Sequence, residues 1–143
     1  MSTLVQTMTT SFKVALMGGE FDFSSDTSQT FKLALYAGDD VNLDASTTAY
    51  TTTGEISGTN YTAGGKTLTL VPVGSDGTTA IVSFNSVSWT SASFTARGAL
   101  IYRSSDNASV AVLDFGGDKV VSNGTFTVTF PANAAETAIL RVA

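Results

Sequence analysis

Apolar and polar residues alternate in short runs over most of the chain. In the run 31–37 (FKLALYA), Phe31, Leu33 and Leu35 fall on one side and Lys32 falls on the other. This period of two is typical of a β-strand with one buried face. The pattern therefore predicts a half-buried strand at 31–37.

Similar runs predict further strands, and Gly, Asn and Asp between them indicate turns. Asn123-Gly124 is the dipeptide favoured by two-residue hairpin turns. Pro72 cannot donate a backbone hydrogen bond, so it predicts an edge strand or a strand end. Gly98 predicts a bulge or close packing against Trp89. The further predicted strands cover residues 48–58, 67–73, 79–89, 93–104, 110–115, 125–131 and 138–143, with turns at 60–65, 74–77 and 116–124.

The N-terminal segment shows a different, helical spacing. Its apolar residues recur at intervals of four, four, three and one, which places them on one stripe of a helix. Ser2 or Thr3 could cap the start, and Gly18-Gly19 would end the helix. We therefore predict a helix over residues 4–17, with the stripe formed by Leu4, Met8, Phe12, Ala15 and Leu16.

These elements together predict an all-β fold. Eight or nine short strands separated by turns indicate an antiparallel β-sandwich or a jelly-roll-like barrel of about eight strands, with one short N-terminal helix. The length of 143 residues fits a single β domain over 1–143. Residues 1–24 would form the helix and an arm packed on or beside that domain. The apolar last residues predict a final strand docked into a sheet.

Composition narrows the classes of function. The chain has no His and no Cys, and only 13% of its residues are charged. The net charge of −5 and the scattered cations do not suit nucleic acid, whose phosphates need clustered Lys and Arg. No apolar run approaches the length that spans a membrane, and the N-terminal segment lacks the basic region of a signal peptide. We predict neither a nucleic-acid partner nor a membrane partner.

One acidic loop invites a metal hypothesis. Asp39, Asp40 and Asp44, together with Asn42, supply the oxygen ligands that Ca²⁺ prefers. Their spacing does not match the twelve-residue calcium loop, which needs a central Gly and a closing Glu. We predict a solvated loop in which Asp39 or Asp44 caps a turn, and no metal site.

Catalytic chemistry finds little support. Ser is abundant, but there is no His to act as its base. Glycoside hydrolysis needs two opposed carboxylates across a cleft, and no spacing pairs Glu20, Glu55 or Glu136 in that way. We predict that the chain is not an enzyme and has no catalytic residues and no cofactor.

Several sequence blocks resemble a family of small structural proteins of tailed bacteriophages. The similarity covers nearly the whole chain from Phe12 onward, and no block is a chemical motif. The resemblance implies a virion component that is assembled in the host bacterial cytoplasm, and it carries no catalytic residues. The blocks that carry it are FKLALY, LDASTTAYTT, YTAGG, TARGALIY and VLDFG, followed by a hydrophobic last strand.

Within that family context, the first expectation is a capsid decoration or cement protein. Its partners would be the major capsid protein and copies of itself, as a dimer or trimer on the lattice. We expect Phe12, Phe21 and Phe23 to form a protein interface, with edge strands as a second contact element. Phe21 and Phe23 have an alternative role, which is to anchor the helix to the sheet.

Two other functions remain open at this stage. One is a tail, collar or head–tail joining component. The other is a glycan-binding module of a receptor-binding fibre, in which Tyr36, Tyr50, Tyr61 and Tyr102 would stack on sugars.

Overall fold

The computed structural model describes residues 3–24, 28–134 and 136–142. These residues form ten strands and one helix. In chain order the elements are β1 Thr3–Leu4, β2 Thr7–Met8, α1 Thr10–Met17, β3 Phe31–Tyr36, β4 Asn42–Leu43, β5 Lys66–Thr67, β6 Leu70–Asp76, β7 Thr79–Phe84, β8 Val87–Arg103, β9 Ser109–Val128 and β10 Leu140–Val142.

The strands form two antiparallel sheets and one short parallel pair. The larger sheet has the order β2-β9-β8-β3-β5, and the smaller has the order β10-β7-β6. The parallel pair joins β1 to β4. The predicted mostly β fold with one short N-terminal helix is confirmed, and no closed barrel is identified in the described part of the chain.

The main hydrophobic core draws on both sheets and on the helix. Burial of these side chains is the dominant stabilising term of such a fold. The core includes Phe12 of α1, Leu33 of β3, Val82 of β7, Trp89 of β8, Val110 of β9 and Leu140 of β10.

A second, smaller core covers the other face of the larger sheet. Ala34, Tyr36 and Leu100 lie there against Val41 and Leu43, which follow β3 in the chain. Both faces of β3 are therefore buried, and the prediction of a half-buried strand was wrong on this point. The covering residues lie outside the run 31–37, so the alternation within that run does not indicate that they cover it.

The helix is shorter than predicted. It begins at Thr10 because Thr9 caps it, with the Thr9 hydroxyl accepting a hydrogen bond of 3.3 Å from the Phe12 amide. Leu4 and Met8, which fit the helical stripe, instead belong to β1 and β2. The predicted cap at Thr3 was wrong, and Ser2 lies outside the described residues. The predicted end is confirmed, since Gly18 closes the helix.

Residues 48–58 do not form the predicted strand. Only isolated bridges occur there, at Ala49 and Glu55. The predicted strand at 67–73 is divided into β5 and β6. Pro72 does lie in an edge strand, at an irregularity in the register between Val71 and Gly74.

β8 and β9 are each one long strand where the sequence predicts two. Asn85 and Ser86 separate β7 from β8, and β8 then runs without interruption to Arg103. Irregular register next to Gly98 confirms the predicted bulge. The close neighbours of Gly98 are the Leu113 carbonyl oxygen and the Leu4 side chain, however, and not Trp89.

β9 passes straight through the predicted turn at 116–124. Gly116, Gly117 and Asn123 have positive φ inside the strand, and Gly124 pairs with Ala92 of β8. These residues form bulges, which use the same backbone conformations as turns. The predicted Asn123-Gly124 hairpin was therefore wrong. The predicted docking of the last strand is confirmed, because β10 pairs with β7.

Candidate functional site

The three phenylalanines predicted to form an interface lie in the main core. Phe12 is 1% exposed, and Phe21 and Phe23 are each 8% exposed. The Phe12 and Phe21 rings meet edge to face at 4.9 Å, and Phe23 stacks on Phe31 at 5.0 Å. This placement agrees with the alternative in which Phe21 and Phe23 anchor the helix to the sheet. These three side chains expose little surface, so a contact surface would also have to include more exposed residues, and the predicted interface role stays a prediction.

All four tyrosines of the chain gather around Glu55. Tyr61 donates a hydrogen bond of 2.6 Å to Glu55 Oε2, and Tyr50 donates one of 2.5 Å to Oε1. The Gly64 amide donates a third, of 2.7 Å, to Oε2. We call this group, with Tyr36 and Tyr102, the Glu55 cluster.

Tyr36 and Tyr102 complete the Glu55 cluster from the sheet. The Tyr36 hydroxyl donates 2.6 Å to the Thr51 carbonyl oxygen, and the Tyr102 hydroxyl donates 2.6 Å to the Gly64 carbonyl oxygen. The Tyr50 ring stacks on Tyr102 at 4.7 Å. These contacts fasten the irregular segment between β4 and β5 to the larger sheet.

Burial raises the pKa of all four tyrosine hydroxyls, and the nearby Glu55 charge raises each pKa further. Each hydroxyl is therefore a neutral hydrogen-bond donor near pH 7. Tyr36 and Tyr102 are 0% and 3% exposed, so neither can offer a ring face to a sugar. The expectation that all four tyrosines stack on glycans was wrong for these two.

The acidic loop behaves as predicted at one position. Asp44 Oδ1 accepts hydrogen bonds from the Ser46 hydroxyl at 2.6 Å and from the Ser46 amide at 2.8 Å. These bonds lower the pKa of the Asp44 carboxyl. Asp44 thus caps a turn. Within the described ranges, no group of three or more acidic side chains lies close enough to hold a metal ion.

An apolar groove opens on the surface between α1 and the smaller sheet. Its volume is about 320 Å³, and its walls are almost entirely aliphatic or aromatic. Val73 and Val142 on its walls are 52% and 57% exposed. We call it the β10 groove; it is lined by Met8, Phe12, Leu16, Phe23, Val73, residues 80–82 and residues 140–142.

β10 beside this groove is an edge strand. It pairs with β7 on one side, and no strand of the described chain pairs with its other side. A second opening of about 400 Å³ adjoins it, and Met8 and Arg141 line both openings. The Arg141 guanidinium has no hydrogen bond or ion pair to any described residue. Sequence reasoning missed this surface, although it did predict the strand.

No described helix is long and apolar enough to cross a membrane. Comparison with protein-family models, with curated proteins and with solved structures finds no match to this chain. The resemblance to phage structural proteins therefore stays a prediction.

Proposed function

We propose that this chain is a structural protein of a bacteriophage virion, and specifically a decoration or cement protein that stabilises the capsid shell. The sequence blocks that resemble phage structural proteins motivate this proposal. The composition agrees with it, because a surface rich in Thr and Ser and poor in charge costs little to desolvate against another protein.

The observation that carries the proposal is the β10 groove beside an unpaired strand edge. Monomeric soluble proteins seldom leave apolar grooves and free edges next to each other, because both promote association. A protein that works by attachment needs such a surface. Two further apolar side chains of α1 are exposed outside the groove, Val14 at 67% and Met17 at 91%.

The stabilising effect would arise by mass action. A protein that binds the assembled shell but not its separated subunits stabilises the shell by RT ln(1 + [L]/Kd) at each site. At a free concentration one hundred times Kd this is about 2.7 kcal/mol per site. Repetition over a symmetric lattice turns modest contacts into a large total.

We also propose that the two sheets are the layers of a β-sandwich. The shared core is the support for this arrangement, since Leu33 of the larger sheet and Val82 of the smaller sheet belong to one cluster. Partners would be the major capsid protein and further copies of this chain, as a dimer or trimer. Assembly would take place in the host bacterial cytoplasm.

The test is the amount of this chain in purified virions, measured on a stained gel beside the major capsid protein. A decoration protein is expected in a molar amount comparable with that of the capsid protein. A small fraction of that amount would instead indicate a tail, collar or head–tail joining component. Absence from intact particles would overturn any virion role.

A second measurement tests the mechanism. Shells that lack the chain are expected to release their DNA at a lower temperature than complete shells, and added purified chain is expected to restore the difference. Unchanged release temperatures would contradict the cement function even if the chain were abundant in particles.

A further inference from the structure

The free edge of β10 can accept another strand. Backbone groups of Leu140–Val142 pair with β7 in the register Leu140↔Val82, Arg141↔Ile81 and Val142↔Ala80. Alternate backbone groups along a strand point to opposite sides, so an edge strand leaves donors and acceptors for an added segment. An extended peptide that pairs in this way gains affinity from main-chain hydrogen bonds.

The groove indicates which side chains that segment carries. An added strand would direct every second side chain towards one face of the sheet. On the groove face these side chains would meet Met8, Leu16 and Val142, and the walls offer almost no polar atoms. Apolar side chains are favoured there because they gain burial without leaving a polar group unpaired.

Arg141 adds a charge requirement. Its guanidinium lies on β10 itself, lines both openings and has no partner among the described residues. A guanidinium with free donors suits a carboxylate, which can accept two parallel hydrogen bonds from it. The complementary segment therefore carries an Asp or Glu close to its apolar residues.

We infer that β10 and its groove bind an extended segment of a partner protein, which adds as a strand beside β10. Alternate apolar side chains of the segment fill the groove, and a carboxylate pairs with Arg141. This inference rests on the proposed function, in which the partner is the major capsid protein and the segment is an extended arm of it.

Two variants test the surface without touching the core. Arg141→Glu reverses the charge that selects a carboxylate. Ala80→Asp places an acid in the groove at an exposed position opposite Val142. The matched control is Lys119→Glu, which makes the same reversal at an exposed site on β9 away from the groove.

The first probe is the intact shell of a virion grown without this chain, and binding of each purified variant is measured by co-sedimentation. Arg141→Glu and Ala80→Asp are each expected to weaken binding at least about tenfold, as loss of a central contact does. Lys119→Glu is expected to change it less than about threefold, as rim charges do. Circular dichroism and thermal unfolding check that each variant is folded.

The outcomes separate the two claims. Wild-type binding that both groove variants retain within about threefold would overturn this inference while the cement function stands. Failure of the wild type to bind shells would overturn the cement function and the inference with it.

The second probe is a set of overlapping synthetic peptides that tile the major capsid protein. The inference expects binding by peptides with alternating apolar residues and an acid, slower amide hydrogen exchange at residues 140–142 in their presence, and loss of binding with Arg141→Glu. Peptide binding that protects other residues instead, or no peptide binding at all, would contradict it.

Discussion

Tyr61 donates a hydrogen bond of 2.6 Å to one oxygen of the Glu55 carboxylate. The same Tyr61 hydroxyl accepts a hydrogen bond of 2.9 Å from the Leu35 amide near the end of β3. This pair therefore joins an irregular segment to a strand of the larger sheet. Glu55 acts as the common acceptor for Tyr50, Tyr61 and the Gly64 amide, in a segment that forms no regular strand.

Glu55→Ala is expected to lower the free energy of unfolding by about 2–4 kcal/mol. The substitution removes the acceptor for Tyr50, Tyr61 and the Gly64 amide, and partly buried donors without an acceptor are costly. Urea unfolding followed by tryptophan fluorescence measures the change.

Glu136→Ala is the matched control for this prediction. Glu136 is an exposed glutamate, so its removal is expected to change stability by less than about 0.5 kcal/mol. Equal effects of the two substitutions would show that the Glu55 cluster does not hold the segment.

The raised pKa of each tyrosine leads us to expect that none of them ionises near pH 10 in the folded chain. All four have a raised pKa in the folded chain, above the ordinary value of 10.0. The folded state therefore keeps protons that the unfolded chain releases, so its stability is full below about pH 10 and falls as the pH rises beyond it. Tyrosinate absorbance should show no tyrosine ionising at its ordinary pKa, and should rise only as the chain unfolds.

Far-ultraviolet circular dichroism of the same samples measures unfolding and provides the check. Tyrosinate that appears near pH 10 while the circular dichroism is unchanged would mean that the hydroxyls are solvated, against the structure. Tyr61→Phe should reduce the slope of stability against pH above that point, because one raised pKa is removed.

Gly65→Ala is expected to destabilise the chain by about 3 kcal/mol or more. Gly65 has φ of +81°, and a methyl group there would overlap the Leu33 carbonyl oxygen of β3. Gly74→Ala is the control, since nothing lies within 4 Å of the added atom. Thermal unfolding should leave Gly74→Ala close to the wild type, and a similar midpoint for both variants would refute the close approach.

Lysine is not expected to replace Arg103 without loss of stability. Its guanidinium lies 4.1 Å from the centre of the Phe21 ring, and it binds Asp106 through hydrogen bonds of 3.0 and 2.7 Å. Lysine cannot form the planar fork or stack in the same way, so Arg103→Lys should cost about 1–2 kcal/mol. The loss should also speed amide exchange at residues 20–24.

Asp106→Asn is the comparison for that variant. This substitution removes the ion pair but keeps the guanidinium over Phe21. Because Asp106 is exposed, the ion pair is expected to contribute little to the free energy of unfolding. A larger effect from Asp106→Asn than from Arg103→Lys would mean that the ring contact contributes little.

The course of β9 shows what sequence reasoning could and could not predict. Alternation located its apolar residues, such as Val112 and Val128, correctly within strands. Gly116, Gly117 and Asn123 were assigned to a turn because positive φ suits turns and bulges alike. Only the pairing of β9 with β8 distinguishes the two, and that pairing is not visible in a local window.

The sequence-based predictions for the N-terminal segment and for the residues of the Glu55 cluster failed for related reasons. Leu4 and Met8 fit a helical spacing, yet they pair with β4 and β9, which lie far along the chain. Tyr36 lies on the same side of β3 as Lys32, and that side is covered by Val41 and Leu43, which lie outside the alternating run. Glu55 gave no signal, because its donors Tyr50, Tyr61 and Gly64 lie in a segment without regular periodicity.

The length of β8 and β9 has a mechanical consequence. The two strands of 17 and 20 residues lie side by side, and at about 3.3 Å per residue β8 reaches about 55 Å. A force along the strands loads all of the interstrand hydrogen bonds together, whereas a force across the strands breaks these bonds one by one. In the capsid role that we propose, tension in the plane of the shell would therefore meet the greatest resistance if these two strands lay parallel to it.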